Sequence, residues 1–152
     1  MFKKIKIAIV AILIISVLNP IKIYATEVEN PQNTFFVMTP EELIMLQKIA
    51  VAEAHGKNEV IMAQIMLTVL NRRQSEKFPN TIEGVITEKG QFSTYPKLYN
   101  KYEPNETSIK AICLLPFIEN KQQLYFENTV QGSWISSNKN FIFNINDLYF
   151  YK

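Results

Sequence analysis

The stretch Thr39–Arg73, TPEELIMLQKIAVAEAHGKNEVIMAQIMLTVLNRR, decides the fold. Thr39 is a natural N-cap, Pro40 suits the first helical position, and Glu42 completes a T-x-x-E capping box. This predicts a first helix from Pro40 to about Ala54, stopped by Gly56. Asn58 then caps a second helix that should run to about Arg73. Val60, Ala63, Met66, Leu67 and Leu70 recur at helical spacing, and Ile61, Met62, Ile65 and Val69 widen the face. A helix with so broad an apolar surface is buried on most sides.

Further along the chain, Pro79 and Asn80 make a turn, and Thr81 can cap a short helix. Lys89 to Ser93 reads as a turn into an extended segment, and residues 94–104 as an irregular surface loop. A helix from Asn105 or Glu106 should be kinked or ended by Pro116. The C-terminal region changes character. LYF at 124–126, FIFNI at 141–145 and LYFY at 148–151 are aromatic and β-branched, which predicts short strands. The class expected is α+β, mainly α, with a small C-terminal β element.

The first 25 residues have the layout of a secretory signal peptide. Lys3, Lys4 and Lys6 precede the apolar run Ile7–Leu18, and Ala25 offers a small residue for cleavage. That run is shorter than the roughly 20 residues of a spanning helix, so a retained anchor is the weaker reading. Residues 26–38 read as a flexible lead-in and 39–152 as one catalytic domain. The whole chain has 16 basic and 14 acidic residues, net +2. Four lysines (Lys3, Lys4, Lys6, Lys22) lie in the leader, so the remainder carries 12 against 14, or −2. The basic character therefore gives no support to nucleic-acid binding. Cys113 is the single cysteine, which excludes an internal disulfide, and its apolar surroundings AICLLPF predict burial.

The inventory narrows the chemistry. His55 is the single histidine, which makes a zinc site or a histidine-activated nucleophile improbable. No phosphate-binding glycine loop is present among four glycines. No metal and no cofactor is expected. Carboxylates, amides and hydroxyls remain. Most of the glutamates, Glu76, Glu88 and Glu103 among them, sit in polar company and read as solvated. Glu53 does not. It follows an apolar run, and on a helix it lies roughly 140° around from Lys48, off the wet side. It is also near the helix's C-terminal end, so desolvation and the helix dipole both disfavour an anion there. Helix geometry alone leaves two readings open, a general acid or a residue that ties down a neighbouring loop. His55, two residues on, does not share its face. Asn71 and Arg72 can cap the second helix or serve a site. Gln91 and Ser93 flank Phe92 in alternation and would share one face of an extended segment. Trp134 and the C-terminal tyrosines can stack on sugar rings or pack in a core.

Taken in order, AVAEAHG (50–56), VLNRRQS (69–75), FPNTIEGVI (78–86) and GQFS (90–93) resemble the SleB-type cell wall hydrolases, a family associated with spore-cortex lysis and peptidoglycan turnover. The resemblance covers residues 43 to about 115, with weaker echoes in LYFEN (124–128) and Trp134. It implies a lysozyme and lytic transglycosylase-like helical core, and cleavage between N-acetylmuramic acid and N-acetylglucosamine with Glu53 as acid and base. The expected substrate-binding residues are Gln91, Phe92, Ser93, Asn71, Arg72 and His55. His55 and Lys57 depart from the family's Arg and acidic residue. A muramoyl–alanine amidase and a catalytically degenerate wall-binding protein are the competing readings. The expected partners are peptidoglycan strands and a germination accessory protein, with a monomer acting on the wall or spore cortex after export.

Overall fold

The computed structural model describes residues 38–128 and 132–152; the expected leader, and the lead-in up to residue 37, lie outside the described residues. Among the described residues five helices, one 3-10 turn and three strands follow in order. Helix α1 is Pro40–Ala54, α2 Glu59–Gln74, α3 Ile82–Thr87 and α4 Glu106–Leu114, the last continued by a 3-10 turn at Leu115–Phe117. Strand β1 (Tyr125–Glu127), the short helix α5 (Trp134–Asn138), β2 (Phe141–Ile145) and β3 (Leu148–Tyr151) complete the chain.

The expected caps form. Thr39 Oγ1 accepts from the Glu42 N–H at 3.2 Å, and the Glu42 carboxylate accepts from the Thr39 N–H at 2.9 Å. The Asn58 side chain accepts from the Ile61 N–H, and Thr81 from the Gly84 N–H. Gly84 also permits a close approach. A Cβ there would sit 2.7 Å from Pro79 Cβ and 2.8 Å from Thr81 Oγ1, so a side chain would break the cap. Pro116 ends α4 by tightening its last residues into the 3-10 turn.

Helix α2 is the centre of the molecule. Twelve consecutive residues, Ile61 to Arg72, are buried, and α1, α3 and α4 all pack against it. Val60, expected on its apolar face, is 38% exposed, because it lies in the first turn before neighbours close around the helix. Buried on all sides, α2 nevertheless carries polar residues at 64, 68, 71 and 72, one stripe at helical spacing. Thr68 Oγ1 donates to the Gln64 carbonyl at 3.0 Å. The Gln123 amide donates to Gln64 Oε1 at 2.7 Å. Asn71 donates to the Gln123 carbonyl and to Asn120 Oδ1, both at 3.0 Å, and Asn120 returns a bond at 2.8 Å. Arg72 Nε donates to the Leu124 carbonyl at 2.6 Å. The stripe thus fixes segment 120–124, and β1 starts at the next residue.

The sheet is antiparallel, in the order β1-β3-β2. Strands β2 and β3 fall where the aromatic runs placed them, and β1 lies one residue later than the run at 124–126. Phe141 faces Tyr151 and Phe143 faces Phe150, so Ile142 is an extra, bulged residue. Phe150 is fully buried, and Phe143 stacks on it at 4.6 Å between ring centres. Asn146, at φ 53°, turns β2 into β3. The neighbouring Asp147 forms an ion pair with Lys57, joining the hairpin turn to the α1–α2 connection.

Two expectations are corrected. Cys113 is exposed. Helix α4 buries the face carrying Ser108 and Ala111, and Cys113, two positions past Ala111, points away from that face. Residues 94–101 are a series of turns, so 94–104 is not wholly a surface loop. The Thr94 carbonyl accepts from the N–H groups of Leu98 (2.8 Å) and Tyr99 (3.2 Å), and both Thr94 and Tyr99 are buried.

Replacing the fully buried Ile49 by Ala should cost about 2–5 kcal/mol. The same change at Ile109, 56% exposed on α4, should stay within about 0.5 kcal/mol. Urea midpoints of the two variants check this, and equal midpoints would contradict the packing. The hydrogen bond from Lys57 holds the Asp147 carboxyl below the usual carboxylate range. Its contribution to stability is therefore present above the ordinary Asp pKa and lost as pH falls through the lowered one. An NMR titration of Asp147 should show its midpoint rising in Lys57→Met, and an unmoved midpoint would disprove the pairing.

Candidate active site

Glu53 occupies the last turn of α1, half-buried. The chain then turns sharply. His55 takes the left-handed conformation at φ 48°, Gly56 follows at φ 80°, and the Lys57 N–H closes the turn on the Ala54 carbonyl at 3.0 Å. A non-glycine residue at positive φ is mildly strained, and here it lets the helix stop directly after Glu53. The His55 side chain is exposed.

The carboxylate is met by a loop 41 residues further on. Thr94 Oγ1 donates to Glu53 Oε1 at 2.5 Å, and the Thr94 N–H points to the same oxygen at 3.4 Å. Both bonds fall on Oε1; no described residue bonds Oε2. Thr94 is 3% exposed and itself fixed by the turn bonds that its carbonyl accepts. Sequence reasoning missed Thr94. The available signal was its place directly after GQFS, on the loop that the motif presents.

Phe92 is buried, Gln91 half-buried and Ser93 exposed, all on the loop that delivers Thr94. The expected extended segment is instead a turn, although Phe92 does point inward and Ser93 outward. Phe92 meets Phe126 of β1 at 6.2 Å between ring centres.

Asn71 and Arg72, expected as substrate-binding residues, are 7% and 3% exposed. Their bonds run to the chain's own segment 120–124, so they support the site from inside rather than touch a ligand. Arg72 is the more telling of the two. Its guanidinium lies among three rings, 4.9 Å from the centre of Phe92, 5.2 Å from Phe78 and 5.7 Å from Tyr125. Burial pushes it down to about 10, while Tyr125, Glu53 and Glu88 favour its charge. It remains cationic at neutral pH. Nη1 is buried without a hydrogen-bond partner among the described residues, and the same holds for Glu88 Oε2. Glu88, grouped by its polar neighbours with the solvated acids, is therefore half-buried and within the field of Arg72. Its place at the end of α3 turns it inward, which composition could not show.

The arrangement is a carboxylate held through one oxygen, beside a buried, ring-walled cation. Comparison with known proteins gives it a context. Residues 56–151 match the family model described as cell wall hydrolase. The chain belongs to the cell wall hydrolase family. The matched stretch holds the loop with Gln91 to Thr94, α2 and the sheet; Glu53 lies three residues before it. Two solved structures resemble this hydrolase. The catalytic domain of the germination-specific lytic transglycosylase SleB from Bacillus anthracis is 25% identical, with 76% of this chain and 97% of that chain covered and a TM-score of 0.66. The catalytic domain of the Bacillus cereus SleB protein is 24% identical, with 81% and 98% covered and a TM-score of 0.63. No curated protein matches the hydrolase. The mainly helical fold with a three-stranded sheet is the fold of those catalytic domains.

Asn71→Leu would leave the buried Gln123 carbonyl unpaired and remove the two bonds exchanged with Asn120. It should destabilise by about 1–3 kcal/mol, read from the thermal or urea midpoint. An unchanged midpoint would mean that the stripe on α2 does not carry the segment 120–124.

Proposed function

We propose that the hydrolase cleaves the glycan strands of peptidoglycan between N-acetylmuramic acid and N-acetylglucosamine, with Glu53 as acid and then base. The observation that carries this reading is the carboxylate of Glu53, anchored through Oε1 by Thr94 while Oε2 has no partner among the described residues. An anchored group with one oxygen left over can approach a glycosidic oxygen in a fixed direction. Likeness to the SleB catalytic domain, named as a lytic transglycosylase, supports the same chemistry.

In this mechanism Glu53 gives its proton to the oxygen between the sugars, and the bond from that oxygen to C1 of the muramic acid breaks. The resulting carboxylate takes the proton from the muramic 6-hydroxyl as O6 bonds to C1. An anhydro ring closes, Glu53 is protonated again, and no water is consumed. One carboxylate suffices, in contrast to the usual carboxylate pair of glycoside hydrolysis. Arg72 and Asn71 act as positioning residues, holding the walls against which the loop of Gln91, Phe92 and Ser93 packs. Gln91, half-buried, and Ser93, exposed, would meet substrate from that loop, and the exposed His55 would contact it from the end of α1. The place of action is outside the cytoplasm, on wall or cortex; among the described residues no helix is long and apolar enough to cross a membrane.

Glu53→Gln should lower the lysis of purified sacculi or cortex fragments by roughly 10²–10⁴-fold. Undiminished lysis would sink the proposal. Mass spectrometry of wild-type products should find anhydromuramic ends. Reducing ends would make the reaction a hydrolysis, and free stem peptides would make it an amidase. Thr94→Val keeps the shape and removes the hydroxyl. It should lower kcat about tenfold with little change in KM, the loss of about one hydrogen bond that aims the carboxyl. A kcat equal to wild type would deny Thr94 its role.

A further inference from the structure

Trp134, the single tryptophan, is 64% exposed. It is nonetheless firmly placed. Ser133 caps the short helix α5, accepting from the Ser136 N–H at 2.9 Å, while Ser136 Oγ accepts from the Ser133 N–H. Asn138 Nδ2 donates to the Trp134 carbonyl at 2.8 Å, and the Lys139 N–H donates to Ile135 at 2.9 Å. Directly after α5, Asn140 and Lys152 exchange two backbone bonds, of 3.1 and 2.9 Å, which tie it to the end of the sheet. The backbone beneath the indole is therefore fixed while the ring itself stays in water, unlike an apolar side chain that packs in a core.

The ring also does not stand alone. Lys139 Nζ lies 5.0 Å from the centre of the Trp134 ring and 4.5 Å from that of Tyr125. Tyr125 meets Phe78 at 5.9 Å and the Arg72 guanidinium at 5.7 Å, and Arg72 meets Phe92 at 4.9 Å. Phe92 is two residues from Thr94, which holds Glu53. Lys139 and Tyr125 thus join the exposed indole to the buried Arg72 and Phe92, which back the loop carrying Thr94.

We propose that Trp134, with Lys139 and Tyr125, is a remote subsite for a peptidoglycan strand, several sugars from the point of cleavage. The inference rests on the glycan-cleaving reading above and adds where the rest of the strand lies. The flat face of a hexosamine ring exposes C–H groups of slight positive charge, which suit the negative face of an indole. Stem peptides on the same strand carry carboxylates, which suit the ammonium of Lys139. A protein partner would call for a contiguous apolar patch, whereas Ile135 and Ser136 beside the indole are half-buried and a cation borders it.

The test measures binding to Glu53→Gln, with and without Trp134→Ala, using single-disaccharide muropeptides and soluble strands of several disaccharides. The parent should bind the long strands roughly tenfold more tightly, and Trp134→Ala should remove that preference. Trp134→Phe should keep part of it, and Lys139→Gln should lose affinity for strands with stem peptides more than for stripped ones. A circular-dichroism melt ensures that the variants compared are folded. Full length preference in Trp134→Ala would overturn the subsite. If Glu53→Gln still releases products, the cleavage mechanism has failed, and the length preference is then read from rates with the same two outcomes.

Discussion

A helix buried on every side can carry polar side chains only if the rest of the chain supplies their partners. In α2 that condition falls on Gln64, Thr68, Asn71 and Arg72, which would otherwise remain unpaired in a medium where such groups cost several kcal/mol. Thr68 is satisfied by its own helix. The other three reach out to the segment 120–124, through two backbone carbonyls and two amide side chains. This is why a strand of only three residues, β1, has a defined place beside the helices. Since β1 pairs with β3 and β3 with β2, the position of the whole sheet follows from that stripe.

The site inherits this order. Glu53 stands at a helix end and meets Thr94 on a turn-rich loop, while Arg72, within the buried helix, acts on the carboxylate through its field. The guanidinium carries a permanent charge into an aromatic enclosure and has one N–H group to spare. Two glutamates, Glu53 and Glu88, lie in its field. A buried cation of this kind holds its surroundings by charge and by ring contacts together, and Lys could not reproduce the planar stacking.

Much of this was legible in the chain. The helix caps were, because Thr39, Asn58 and Thr81 are short polar side chains just ahead of helical stretches, and Glu42 completes a box with Thr39. The strands were legible because FIFNI and LYFY have no competing helical period. Glu53 stood out because a carboxylate closing an apolar helix is costly. What escaped was set by distant contacts. Thr94 reads as an ordinary loop hydroxyl until a carboxylate 41 residues earlier is brought to it. Glu88 reads as solvated because Thr87 and Lys89 flank it, yet the end of α3 turns it inward. Cys113 sits in an apolar run, but its helix buries only one face. Arg72 was singled out for the right helix end, while its depth depended on rings from three other segments.

The extra residue at Ile142 has a bearing on solubility. Among the described residues β1 and β2 are both outer strands, open on one side to pairing with another chain. β1 is short. β2, with the uncharged run FIFNI, is the kind of sequence that joins edge to edge into fibrils. The bulge interrupts its hydrogen-bond ladder and increases its twist, and Lys121 lies over the Phe143 ring at 5.6 Å. An irregularity in the ladder thus makes this edge a poorer template for strand pairing with another chain.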